Sequence, residues 1–166
     1  MERFLIDANI FISAKNLYYQ FGFCQAFWDF LATMHQKGIV FSIQAVKQEM
    51  LRQNDPLKDW VNTLPDTFFE DQYSSEASYA TLMNYAQGLD VKQIAKDEFA
   101  KQENADAWLL AHAMEQGFTI ITHEKFNPAA KKRIMIPNVA QDHNIKVVTL
   151  FEFLERFVDQ GFIPKP

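Results

Sequence analysis

The chain has 166 residues, enough for one hydrophobic core and too few for two. Hydrophobic residues make up 48% and charged residues 22%, which excludes a disordered polymer, and no apolar run approaches the ~20 residues of a membrane span. Sixteen Lys and Arg against twenty-one Asp and Glu leave a formal charge of −5, which argues against gripping nucleic acid through a broad basic surface but not against an enzyme whose acidic centre takes its positive charge from an ion.

Phe4-Leu5-Ile6 is a short apolar strand that ends at Asp7, and this opening is too short and too acidic for a secretory signal. A turn around Gly22 separates two short helices, the second carrying Cys24, Phe27, Trp28, Leu31 and His35 at helical spacing and closed by Gly38. Ile39-Val40-Phe41 forms a second strand, and Gln44 to about Arg52 a helix. Asp55-Pro56 supplies a cap and a first-turn proline for another. From about Ser75 to Ala100 the chain is helical or looped. Glu103 to Gln116 is helix, Phe118 to Ile121 a third strand and Ile145 to Val148 a fourth. Thr149 and Glu152 make a capping box for a last helix with Leu150, Phe151, Leu154, Phe157 and Val158 on one face. Gly38, Gly88, Gly117 and Gly161 each follow a helical segment, where left-handed caps are expected. Cys24 is the sole cysteine, so there is no internal disulfide and no cysteine metal site, and a cytoplasmic location is the default expectation.

Short apolar strands alternating with helices predict a single domain over residues 1–166, a three-layer α/β/α fold around a mainly parallel sheet of four to five strands. In such sheets ligands bind beyond the carboxyl ends of the strands. Four acids fall there: Asp7 after strand one, Glu49 on the helix after strand two, Asp106 in the first turn of its helix, and Glu124 after strand three. Each has an ordinary explanation alone, as a cap, a solvated helix residue, a dipole-favoured acid or a loop residue. Converging, they would repel one another unless a cation or a proton intervened. An oxygen-only donor set suits Mg²⁺ or Mn²⁺ rather than zinc.

Three of these segments, in this order, resemble motifs of the PIN-domain ribonuclease family. Phe4-Leu5-Ile6-Asp7-Ala8-Asn9 looks like a strand ending in a catalytic Asp with Asn two residues on. Asn104-Ala105-Asp106-Ala107-Trp108 looks like an acid opening a helix, and Thr122-His123-Glu124-Lys125-Phe126 like the Thr-x-acid after a later strand. Glu49 fits the second acid. The family's fourth acid is usually Asp, and here it is Glu124, whose extra methylene moves the carboxylate. The resemblance implies a PIN-like domain that cleaves RNA endonucleolytically. Asp7, Asp106 and Glu124 would hold Mg²⁺ or Mn²⁺, with Glu49 as a further catalytic acid and Asn9 and Thr122 as orienting hydrogen-bond partners. It also associates the chain with the toxins of bacterial toxin–antitoxin pairs, and so with an antitoxin protein and with homodimers as partners.

Lys125, Lys131, Lys132 and Arg133 form the one local basic cluster, a solvated loop or a set of contacts to RNA phosphates, and His123 is either a loop histidine or a phosphate contact. The run Tyr18, Tyr19, Phe21, Phe23, Phe27, Trp28 and Phe30 reads as core or dimer surface before it reads as a base-stacking surface. A haloacid-dehalogenase-like phosphatase would need a second Asp where this chain has Asn9. The standing alternative is a catalytically inactive PIN-like module that binds RNA or protein.

Overall fold

The computed structural model describes all residues, Met1 to Pro166. Its centre is a five-stranded, wholly parallel sheet in the order β3-β2-β1-β4-β5. The strands are β1 (Phe4–Ile6), β2 (Val40–Ile43), β3 (Phe69–Glu70), β4 (Thr119–Ile121) and β5 (Val147–Val148). Both faces of the sheet are covered, so its inner strands read as apolar runs: β1 and β4 are buried at every position.

Helices α1 (Ala8–Ser13), α2 (Gln25–Gln36), α3 (Gln44–Met50), α4 (Pro56–Thr63), α5 (Glu76–Gln87), α6 (Gln93–Phe99), α7 (Ala105–Gln116), α8 (Ile136–Asp142) and α9 (Leu150–Phe157) complete a three-layer α/β/α arrangement. One layer is built on α7, which packs against α5, α8 and α3. The opposite layer joins α2 and α9 with a C-terminal hairpin of β6 (Val158–Asp159) and β7 (Ile163–Pro164). Phe4 of β1 meets Phe153 of α9 edge-on at 5.0 Å, and Phe153 also meets Phe30 of α2 at 6.2 Å. No helix is long and apolar enough to cross a membrane.

Local signals account for three of the helix starts. Asp55 accepts a hydrogen bond from the Lys58 N–H to start α4, Asn104 accepts from Asp106 N–H at the head of α7, and Thr149 and Glu152 form the complete capping box of α9. Gly38 and Gly117 take the positive φ of left-handed caps, as expected. Gly88 does not, having φ −86°, and Gly161 serves the turn of the β6–β7 hairpin instead of closing α9. Two further expectations are corrected. The inward face of α9 carries Phe153 rather than Phe151, because Leu150, Phe153 and Leu154 follow the i, i+3, i+4 spacing toward the sheet. Cys24 precedes α2 as its cap residue and lies outside the helix. The aromatic run divides: Phe27, Trp28 and Phe30 are core, Tyr19 and Phe21 pack at its margin, and Tyr18 and Phe23 are exposed.

Candidate active site

The chain runs outward from β1 through β2 to β3, then returns to place β4 on the other side of β1. The carboxyl ends of β1 and β4 therefore flank the topological switch point, where crossovers leave in opposite directions and open a crevice. Asp7 and Thr122 are the first residues beyond those two ends. The Asp7 N–H donates to the Ile121 carbonyl at 3.0 Å, extending the ladder past the end of β1, and the residue is buried there. Although Asp7 occupies the cap position of α1, its carboxylate makes no capping bond. It accepts the Thr122 hydroxyl at 2.8 Å, and Asn9 Nδ2 donates to the same Thr122 oxygen at 3.3 Å. Asn9 Oδ1 also accepts the His123 N–H at 3.4 Å, so Asn9 and Thr122 clamp the β1 and β4 ends together around Asp7.

Asp106 reaches the crevice from the first turn of α7, and Glu49 from α3. The start of α3 is pinned by two bonds, Gln44 Nε2 to the Phe69 carbonyl of β3 at 2.9 Å and Ala45 N–H to Gln72 Oε1 in the turn after β3 at 3.2 Å. Burial of Val46 and Met50 then sets the helix rotation that brings Glu49 toward Asp106. Glu124 comes from the segment after β4, its side chain only 5% exposed. Its Oε2 accepts the Ile136 N–H at the head of α8 at 2.8 Å, a bond that ties the 124–135 segment down.

Electrostatics show that the four acids sense one another. Asp7 is 3% exposed, and burial, reinforced by the charges of Asp106, Glu124 and Glu49, pushes its carboxyl up to about 8 against the lowering hydrogen bond of Thr122. Burial, then the nearby Asp106 charge, raises Glu49, and burial foremost raises Glu124. Burial lowers His123, which favours its neutral form.

One cation enters this cluster. Arg133 Nη2 donates to Asp106 Oδ2 at 3.0 Å and makes an ion pair with Glu124 Oε1, bridging the two acids. The rest of the predicted basic cluster separates from it. Lys131 is turned away onto the carbonyl and carboxylate of Asp90, both at 2.7 Å, which corrects its expected place at the site. Lys125 and Lys132 are exposed on the same segment. Arg52 was not anticipated: with Glu49, Asp106, Lys101 and Arg133 it lines a cavity of about 400 Å³ beside the acids. Its position one turn after Glu49 on the α3 side was the available signal.

A second polar cluster has the residue types of an acyl-transfer triad. His112 contacts Ser75 Oγ through Nδ1 at 2.9 Å and Glu70 Oε2 through Nε2 at 2.7 Å. Ser75 is fully enclosed, so no substrate reaches it, and the network serves to lock α7 onto β3.

The donors at the switch point match a hard divalent cation in kind, being oxygen-only and mutually repulsive. As arranged, no three of them close on a single point, because Asp106 and Glu124 are drawn to Arg133. Fold and site together define a parallel α/β protein with a carboxylate cluster at the sheet's switch point. The chain belongs to the family described as a domain of unknown function (DUF4411), whose model matches residues 4–158 and so spans the whole sheet and every acid of the cluster. No curated protein and no solved structure matches the chain.

Proposed function

We propose that this protein is a PIN-like, Mg²⁺- or Mn²⁺-dependent endoribonuclease whose centre is Asp7, Glu49, Asp106 and Glu124. The observation that carries the proposal is Asp7: a buried carboxylate at the switch point of a parallel sheet, pushed up to about 8 by burial and by three other acids. A cap or a structural aspartate would be held ionised by donors, whereas this one meets a single hydroxyl and three like charges. The resemblance of the Asp7, Asp106 and Glu124 segments to PIN motifs supplies the reaction class.

Asp7, Asp106 and Glu124 would hold the ion, with Glu49 in support. When bound, such an ion polarises the scissile phosphate and lowers the pKa of an attacking water. Thr122 and Asn9 fix the rotamer of Asp7, and that preorganisation limits the reorganisation left for the reaction itself. Arg133, released from Asp106 and Glu124, is placed to neutralise phosphate oxygens, with Lys125 and Lys132 beside it on the same segment. The formal charge of −5 leaves substrate affinity to these few contacts rather than to a basic field.

The test is cleavage of single-stranded RNA, tRNA and single-stranded DNA with Mg²⁺, Mn²⁺ or chelator, beside Asp7→Asn and Asp106→Asn. Metal-dependent RNA cleavage lost in both variants is the expected outcome; equal inertness of all three proteins toward every substrate would refute the reaction. The second reading, an inactive PIN-like module that binds RNA or protein, is favoured by one observation, the pairing of Asp106 and Glu124 with Arg133. A toxin role with an antitoxin partner rests on the resemblance alone. It predicts growth arrest in a bacterium expressing the chain, and arrest that persists with Asp7→Asn would exclude nuclease chemistry as its cause.

A further inference from the structure

Helix α1, which opens at Asp7, does not end in an ordinary cap. It passes directly into a π-helical turn, Ala14–Tyr18, in which the Tyr19 N–H reaches back five residues to the Ala14 carbonyl at 2.9 Å. Such turns recur at functional sites because the extra residue re-aims a side chain. Here it separates two adjacent tyrosines. Tyr19 turns inward and stacks on Phe27 at 4.4 Å, while Tyr18 is left 47% exposed.

Tyr18 has two aromatic neighbours from distant parts of the chain. His123 lies 5.8 Å away between ring centres, and Phe151 lies edge-on at 5.6 Å; His123 and Phe151 are 6.1 Å apart. Phe151, at the start of α9, is 49% exposed although its helix buries Phe153. The three rings follow β1, β4 and β5, so they gather at the carboxyl end of the sheet. His123 is the residue after Thr122, the direct partner of Asp7. In sheet order this cluster lies on the β5 side of Asp7, with Glu49 on the β2 side.

We propose that Tyr18, His123 and Phe151 form a stacking platform for an unpaired nucleobase of single-stranded RNA, next to the acid cluster around Asp7. This rests on the ribonuclease reading and adds where the neighbouring base sits. Stacking supplies what the charge balance withholds: each base has a π-face, and one stacked base contributes roughly 5- to 150-fold in affinity without any basic surface. A protein interface engages about 20–30 residues a side, far more than two half-exposed rings and the partly buried His123 provide.

The experiment uses a short single-stranded RNA carrying 2-aminopurine, whose fluorescence is quenched on stacking, titrated in Mg²⁺ against Asp7→Asn protein. Tyr18→Ala, Phe151→Ala and Phe151→Leu are then added on that background. Quenching by the Asp7→Asn protein, with affinity lost by roughly 5- to 150-fold in Phe151→Ala and not restored by Phe151→Leu, supports the platform, since leucine keeps the apolar surface but has no π-face. Equal affinity and quenching in all variants overturns it. So does a change of oligomeric state in Tyr18→Ala or Phe151→Ala with RNA affinity intact, which would assign the rings to a protein contact. Cleavage by the Asp7-containing protein separates the two ideas. RNA cut with unchanged KM after ring removal sinks the platform and spares the nuclease, whereas RNA stacked but never cut does the reverse. Protein that neither binds nor cuts overturns both.

Discussion

Replacing Arg133 by glutamine removes the guanidinium that bridges Asp106 and Glu124 while keeping a shorter, uncharged polar side chain. The side chains of Asp106 and Glu124 are 16% and 5% exposed, whereas that of Arg133 is 55% exposed, so the bridge is partly screened by water. A charge-assisted bond to a buried acid stabilises by about 1.5–3 kcal/mol, and half-exposure reduces this to about 1–1.5 kcal/mol. In a domain of this size about 1 kcal/mol corresponds to roughly 2–4 °C in Tm. Without metal, Arg133→Gln should therefore melt a few degrees below wild type. With metal the order changes, because an ion entering the cluster must first detach Asp106 and Glu124 from Arg133, a penalty absent in the variant. Removing that competition should lower the half-saturating Mg²⁺ or Mn²⁺ concentration roughly tenfold, the equivalent of about 1.4 kcal/mol. Thermal melts across a metal titration, without RNA, read both effects, and Arg133→Lys should restore part of the competition. A half-saturation in Arg133→Gln equal to or above that of wild type would refute the argument that guanidinium and ion share two carboxylates.

Three further outcomes are expected. The folded pKa of Asp7 lies above its unfolded value, so the folded state without metal binds the extra proton and stability should fall as pH rises from about 4 to about 8. Asp7→Asn, which imitates the protonated group, should flatten that slope in urea melts run with chelator; an unchanged slope would show that Asp7 is ionised throughout. Shortening Glu124 to Asp should lose the bond to the Ile136 N–H at a cost of about 1 kcal/mol and speed exchange of that amide, whereas unaltered protection would assign the anchoring of α8 elsewhere. His112→Leu should cost about 2 kcal/mol in denaturant melts, since it leaves the enclosed Ser75 hydroxyl without its partner; a neutral effect would show that the network does not hold α7 in place.

The sequence by itself determined the elements whose signals are local. Three consecutive apolar residues before Asp7, the Asp55-Pro56 start of α4 and the Thr149–Glu152 box each depend on residues within about one turn, and all three are formed. The parallel α/β class followed from their alternation, and the rule that ligands bind past strand ends located Asp7, Glu49, Asp106 and Glu124 before any contact was known. Among the elements that escaped, β3, β6 and β7 have two residues each, too few to display a period, and α8 is a seven-residue helix whose first turn holds Pro137 and whose anchor is the distant Glu124. The tertiary structure alone decided which acids acquire partners. Arg133 lies 27 positions from Asp106, and nothing in the local pattern distinguishes it from Lys131, which turns to Asp90 instead. The same holds for Tyr18 against Tyr19 and for Phe151 against Phe153, pairs alike in composition whose burial is set by the π-turn and by the rotation of α9. Caps and strands are fixed by neighbours along the chain, whereas burial, ion pairing and the charge on Asp7 are set by residues that only the folded sheet brings together.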